Sequence, residues 1–227
     1  MTKLSAVIFT YNEEANIEAA MDSLSFADEV VVIDSGSTDR TREIAESRKA
    51  RVYQFEFEGY AVQKNRGIEK CSFDWVLILD ADERIPLDLR SEIQEVLKNP
   101  GESKGFSIGR NNYFMGKRVR FSGWQHDRVT RLVNRQYARY GITAVHEEMQ
   151  VDGKISRLKN KMDHYTYRDL DSYLSKSWKY ATLGAHDRYT RHGKVTAYHL
   201  LIKPAWGFMN RYFLKLGFLD GKVGLVI

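Results

Sequence analysis

A chain of 227 residues, 43% hydrophobic and 12% aromatic with a formal charge of +5, is long enough to bury a substantial core in one large domain, or one domain plus an appendage. Its single cysteine, Cys71, excludes an internal disulfide and any cysteine-based metal cluster, and points to a reducing, cytosolic setting. Residues 1–100 carry 12 Lys and Arg against 20 Asp and Glu, a charge of −8, whereas the remainder carries 23 against 10, a charge of +13. The second half therefore seeks an anionic partner. No helix-turn-helix, zinc-finger or stacking-platform motif accompanies it, so no nucleic acid is expected; an anionic membrane surface, or a phosphorylated lipid or saccharide, fits better.

At the N-terminus, Met1 to Phe9 holds an apolar run too short for a signal peptide, and no export signal is expected. Leu4 to Thr10 reads as a first strand and Glu14 to Leu24 as a helix, its apolar Ile17, Ala20, Met21 and Leu24 recurring at helical spacing. Glu29 to Ile33 is a second strand. It stops at Asp34-Ser35-Gly36-Ser37-Thr38-Asp39, where Gly permits a sharp turn and Ser, Thr and Asp suit a helix cap. The helix after it runs to about Arg48. Arg51 to Phe57 predicts a third strand, Tyr60 to Lys70 a third helix and Trp75 to Leu79 a fourth strand.

This alternation predicts an α/β fold with a mostly parallel sheet covered by helices on both faces. Three strand ends, carrying Thr10 to Glu13, Asp34 and Asp80 to Asp82, then share the crevice at the carboxyl edge of the sheet. No Gly-x-Gly-x-x-Gly follows the first strand and no Walker loop occurs, which excludes dinucleotide and P-loop chemistry. The run Trp75-Val76-Leu77-Ile78-Leu79-Asp80-Ala81-Asp82-Glu83 is the centre of the pattern. Its acids at i and i+2 either converge on one hard divalent cation or serve a turn and cap the helix beginning near Pro86.

A helix over roughly 87–98 is followed by the breaker Asn99-Pro100-Gly101 and a strand over Gly105 to Arg110. Val129 to Asn134 and Glu148 to Val151 are expected as strands of a mixed sheet, and Leu170 to His186 as a helix. From Lys203 onward, Phe208, Tyr212, Phe213 and Leu216 fall on one helical face and Arg211 and Lys215 on another. Such a helix either packs on the core or lies at a membrane interface, but its charges leave no run long enough to span a bilayer. The apolar run Val223-Gly224-Leu225-Val226-Ile227 predicts an apolar continuation.

Thr10-Tyr11-Asn12-Glu13, Asp34-Ser35-Gly36-Ser37-Thr38-Asp39, Gln63-Lys64-Asn65-Arg66 and Asp80-Ala81-Asp82-Glu83, in that order, resemble family 2 glycosyltransferases of the GT-A fold. Trp124-x-x-Asp127 with Arg131-Leu132, then Val145-His146-Glu147 and Phe218-Leu219-Asp220-Gly221, are similar to the bacterial subgroup that includes lipopolysaccharide core β-glucosyltransferases. The resemblance implies a single GT-A domain with a nucleotide-sugar half over 1–100 and an acceptor half over 101–167. Residues 168–227 then form a helical, membrane-associating region.

It further implies inverting transfer of a hexose, glucose above all, from a UDP-sugar to a saccharide or glycolipid acceptor such as lipopolysaccharide core. The setting would be cytoplasmic, peripheral on the inner face of the cytoplasmic membrane. A polyprenyl-phosphate glycosyltransferase and a non-catalytic saccharide- or lipid-binding module are the alternatives. Thr10, Asn12, Glu13 and Asp34 would meet the base and ribose, or Thr10 and Asn12 merely satisfy the turn. Lys64 and Arg66 would meet the diphosphate. Asp80 and Asp82 would hold Mg2+ or Mn2+, with His146 completing the metal shell or donating to phosphate. Glu147 and Asp127 are the two candidates for the base that deprotonates the acceptor.

Overall fold

Side chains alternate across a strand, so Leu4, Ala6 and Ile8 line one face of the first strand and Val7 the other. The same parity repeats in the neighbours: Val32, Leu77 and Leu79 join the first face, and Val31, Ile33, Val76 and Ile78 the second. Such double-faced burial is why these strands read as unbroken apolar runs. The computed structural model describes residues 2–141, 148–192 and 195–227. Two units make up the chain, the first Met1–Arg110 with Arg128–His164, the second Asn111–Asp127 with Tyr165–Ile227.

In the first unit, β1 (Leu4–Thr10), β2 (Glu29–Asp34), β3 (Arg51–Gln54) and β4 (Trp75–Asp80) form a parallel block in the order β3-β2-β1-β4. Helices α1 (Ile17–Ser23), α2 (Thr41–Ser47) and α4 (Leu87–Lys98) cover one face through Ile17, Leu24, Ala45, Leu89 and Ile93. Helix α3 (Tyr60–Lys70) covers the other through Ile68. Gly67 lets α3 approach closely, because a Cβ there would lie 2.5 Å from Phe9 Cζ.

Beyond β4 the sheet becomes mixed: β8 (Arg128–Asn134) pairs antiparallel with both β4 and β6 (Ser103–Phe114), β11 (Lys154–Tyr167) follows β6, and the two-residue β5 (Glu83–Arg84) pairs antiparallel with β11. This is the expected α/β architecture: a central sheet flanked by helices, followed by a helical C-terminal region.

Several elements differ from expectation in extent. Helix α1 starts at Ile17, because Glu13 to Asn16 close a turn in which the Asn16 and Ile17 N–H groups donate to the Glu13 carbonyl. Strand β3 ends at Gln54, its outer residues exposed as befits a sheet edge. The expected strand over Glu148 to Val151 does not join the large sheet. Met149–Val151 (β10) instead pairs antiparallel with Ala138–Tyr140 (β9) in a separate two-stranded sheet. Its Val151 and Met149 pack with Tyr140 on the α3 side of the large sheet.

The second unit holds the end of β6 paired with β7 (Lys117–Val119), a 3-10 turn at Trp124–His126, and the last residues of β11. Helix α5 (Leu170–His192) follows, longer than expected. Then come a π-helical turn at Tyr198–Ile202, α6 (Lys203–Met209), a second π-helical turn at Asn210–Leu214 and α7 (Lys222–Val226). Phe114, Tyr167 and Tyr173 meet edge to face at 5.0–5.7 Å, anchoring α5 to the strand ends. Asp220 accepts the N–H groups of Arg120 (3.0 Å) and Phe121 (2.8 Å), so the Phe218-Leu219-Asp220-Gly221 motif clasps the chain after β7.

Candidate functional site

Pairing register puts the predicted residues side by side: Thr10 lies opposite Asp34 across β1 and β2, and Phe9 opposite Asp80 across β1 and β4. The loops leaving these strand ends are laced together. Asn12, at φ +54°, donates its N–H to Ser37 Oγ (2.8 Å) and accepts the Thr38 N–H on Oδ1 (2.8 Å). The Glu13 N–H donates to Thr41 Oγ1 (2.8 Å), and the Glu13 carboxylate accepts Asn16 Nδ2 (2.7 Å).

Asp34 is wholly buried; it accepts the N–H groups of Gly36 (3.0 Å) and Ser37 (2.9 Å) and the Ser37 hydroxyl. A carboxylate has about four acceptor positions, so these donors commit most of its capacity to shaping the loop. Thr10 Oγ1 and Gln63 Oε1 are buried polar atoms without a protein hydrogen bond, which leaves both available to a ligand.

At the end of β4, Asp80 and Glu83 share one buried cation. Arg131 Nη2, on β8, donates to Asp80 Oδ2 (2.5 Å) and to Glu83 Oε1 (2.8 Å). Glu83 has no exposed side-chain surface, stands 3.6 Å from Arg110 and accepts the Asp80 N–H (3.0 Å). Lys64 Nζ lies 4.0 Å from Asp80 Oδ1 and 5.2 Å from the centre of the Tyr140 ring. Burial opposes ionisation of Asp80, but the charges of Arg131 and Lys64 outweigh it and hold this carboxyl below the ordinary range. Burial likewise works against the Arg131 charge, and Asp80 and Glu83 more than restore it. Burial pushes the Tyr140 hydroxyl up.

Asp82 is differently placed. Its Oδ2 lies 3.4 Å from Nε2 of His164, on β11, and its Oδ1 is buried with no hydrogen-bond partner. A cation of the Mg2+ or Mn2+ class takes one or two protein groups and completes its shell with phosphate oxygens and water. Adjacent ligands on bonds of about 2.1 Å stand roughly 3 Å apart. The spacing of Asp82 and His164 and the orphaned oxygen between strand and loop fit such an ion. Among the described residues no group of three or more His, Cys, Asp and Glu could hold a metal.

Of the residues expected to act together, the first unit gathers Asp80, Asp82 and Lys64 at one strand end. Arg66 bonds Glu58 (2.6 Å) and the Glu56 carbonyl (3.3 Å) and lies over Phe55, none of which belongs to that cluster. Asp127 belongs to the second unit, where Asn112 Nδ2 donates to its Oδ2 (2.9 Å). His146 and Glu147 lie outside the described residues. Three residues carry no assigned role in the sequence pattern: Glu83 and Arg131, present there only as members of motifs, and His164. Their one signal is parity. His164 shares the even-numbered face of β11 with the buried Leu158 and Met162, and Arg131 is buried beside the apolar Leu132 and Val133 of β8, where a buried cation demands a carboxylate.

Comparison with known proteins gives a consistent result. The sequence pattern of Glycosyl transferase family 2 matches residues 5–150. The chain is 30% identical to the lipopolysaccharide core biosynthesis glycosyltransferase LpsC of Rhizobium meliloti (strain 1021), over 98% of this chain and 88% of that protein. It is also 30% identical to an uncharacterized glycosyltransferase of Rickettsia bellii (strain RML369-C), over 99% of this chain and 80% of the other. Among solved structures it is similar to glucosyl-3-phosphoglycerate synthase from Mycobacterium tuberculosis in complex with Mn2+, UDP and glucosyl-3-phosphoglycerate. That likeness has 28% identity and a TM-score of 0.41, and covers 49% of this chain and 44% of that one.

Proposed function

The chain belongs to glycosyl transferase family 2, and we propose that it moves a hexose, glucose in the first instance, from a UDP-sugar to a membrane-side saccharide such as lipopolysaccharide core, with inversion at the anomeric carbon. The observation that carries the donor side is the Asp82–His164 pair at the end of β4, beside Lys64. The acceptor follows from the lipopolysaccharide core role of the Rhizobium relative and from the charge of +13 beyond residue 100. The cytoplasmic face of the inner membrane is the setting in this reading.

A Mg2+ or Mn2+ ion held by Asp82 and His164 would supply Lewis-acid stabilisation of the departing diphosphate. Imidazole is a softer ligand than carboxylate, so this pair favours Mn2+ over Mg2+. Thr10, Asn12, Glu13 and Asp34 serve the base and ribose, directly or by shaping the loop that does. Lys64 meets the phosphates with charge-assisted bonds that strengthen as negative charge builds on the leaving group, while Arg66 is held by Glu58. Asp80 stays with Arg131 and keeps the strand end in place, while Asp82 takes the cation.

Glu147 or Asp127 removes the proton from the acceptor hydroxyl. That oxygen then forms its bond to the anomeric carbon on the face opposite the breaking carbon–oxygen bond of the diphosphate. A screen of UDP- and GDP-sugars with Mn2+, following release of the nucleotide in the presence of lipopolysaccharide-core acceptor, tests the reading. UDP-glucose should give the fastest release, and turnover only with GDP-sugars would overturn the donor assignment.

A further inference from the structure

From residue 188 to residue 219 the sequence contains six Lys and Arg and no Asp or Glu. Within this stretch, the helical segments Tyr198–Ile202, Lys203–Met209 and Asn210–Leu214 have no buried residue. Leu201 is 69% exposed, Trp206 60% and Leu214 66%, and Ile202, Met209 and Phe213 are exposed as well. A helix that is apolar on several sides belongs under cover, and a soluble protein rarely leaves so large a patch in water. Among the described residues, Lys203, Arg211 and Lys215 form no ion pair with an Asp or Glu side chain; Arg211 Nη1 donates to the Ile227 oxygen (3.1 Å), and the charge of the two lysines is available to an outside anion. Asp220, which follows this stretch in the sequence, is committed to the backbone of Arg120 and Phe121.

We infer that this run, residues 198–215, is an in-plane docking surface for an anionic lipid bilayer, with its rings and aliphatic side chains at headgroup depth and its cations on the lipid phosphates. The inference rests on the membrane-side acceptor proposed above for its setting, and on the second unit's own residues for its substance. Charge selects the occupant. A second copy of the same surface would bring like charges together, whereas an anionic leaflet complements them. No described helix is long and apolar enough to cross a membrane, so the surface lies along the interface. Aromatic and basic residues interleaved in this way fit that posture, since each long cationic side chain reaches outward while its stem stays apolar.

The test is co-sedimentation of the full chain with phosphatidylcholine vesicles, with and without phosphatidylglycerol, at low and high salt. Binding is expected only with the anionic lipid and should weaken as salt rises. The triple variant Lys203→Gln, Arg211→Gln, Lys215→Gln should lose about fivefold in partition per cation, on the order of a hundredfold in all. The pair Leu201→Asn, Phe213→Asn should lose binding at any salt. Circular dichroism and the thermal response to UDP with Mn2+ establish that each variant is folded. Equal binding to neutral and anionic vesicles, or unchanged binding by both variants, would overturn the inference. So would self-association that the apolar pair abolishes while vesicle binding persists, since the occupant would then be a second copy. Loss of the UDP response in the wild-type chain, with vesicle binding intact, would instead strike the donor reading and leave the docking surface standing.

Discussion

His164 Nε2 sits 3.4 Å from Asp82 Oδ2 because β11 pairs antiparallel with β5, in a register that sets His164 opposite Glu83, the residue after Asp82. A turn-borne carboxylate and a strand-borne imidazole are thereby held at one edge by backbone pairing. In this reading they form the protein's share of a divalent-cation site.

If so, UDP with Mn2+ at about a hundred times its dissociation constant should stabilise the protein by about 2.7 kcal/mol, a rise of roughly 5–10 °C in melting temperature. Asp82→Ala should abolish the rise. His164→Ala should weaken Mn2+ binding by at least about tenfold, or about 1.4 kcal/mol, with UDP present. Wild-type Mn2+ affinity in His164→Ala, measured by calorimetry, would remove the imidazole from the site.

Arg131, Glu83 and Asp80 should matter unequally to stability. Glu83 is fully buried and Arg131 nearly so, and removing one partner from such a pair costs about 3–5 kcal/mol. Asp80 has 35% of its side chain in contact with solvent, which screens its share, and Asp80→Asn should cost only about 1–2 kcal/mol. Urea unfolding of Glu83→Gln, Asp80→Asn and the double variant Arg131→Met, Glu83→Leu checks this ordering. The apolar double variant should recover most of the loss, and a Glu83→Gln cost under about 0.5 kcal/mol would refute a structural role for the pair.

The two base candidates separate by kinetics. Whichever of Glu147→Gln and Asp127→Asn removes the base should lower kcat by roughly a hundredfold to ten-thousandfold and leave UDP binding unchanged. Should Asp127 be the base, Asn112→Ala should lower kcat by a smaller factor, because the buried Asn112 amide orients that carboxylate. Normal transfer by both carboxamide variants would rule out both residues.

Cys71 supplies a pH dependence with a definite sign. Burial pushes its thiol up to about 12. The unfolded thiol ionises near 8.5, so between about pH 8.5 and pH 12 the native state holds the extra proton. A folded value above the unfolded one means that stability is whole below 8.5 and falls as pH rises through the window, by up to about 1.4 kcal/mol per unit. Cys71→Ala should flatten that slope in denaturant titrations. A thiol reagent at pH 8.5 should label the native protein only after denaturant is added.

The parallel half of the fold was legible because both faces of its strands are covered. Burial on both sides writes Ala6 to Phe9, Val30 to Ile33 and Val76 to Leu79 as continuous apolar runs, and the loops after them carry the Gly, Asp and Ser that turns require. Strand β11 was not legible. It is 14 residues long, yet only Leu158 and Met162 are buried, and its Lys, Arg and Asn residues give the composition of a solvated loop. Missing the strand meant missing His164. The order of acids at the end of β4 could be read from spacing, but their division of labour could not. Whether Asp80 faces a cation or Arg131 depends on β8 pairing with β4, a contact between segments more than fifty residues apart.

Strand β5 is two residues long, and Asp163 and His164 of β11 are the residues that meet it. Pleated backbone exchanges faces with every residue, so removing or adding one amino acid between Met162 and His164 would swing the imidazole to the far side of the sheet, whatever the neighbouring letters spell. Indels in this unremarkable-looking stretch should thus be far more damaging than point changes at Lys159 or Lys161. Its length, more than its wording, keeps the imidazole beside Asp82.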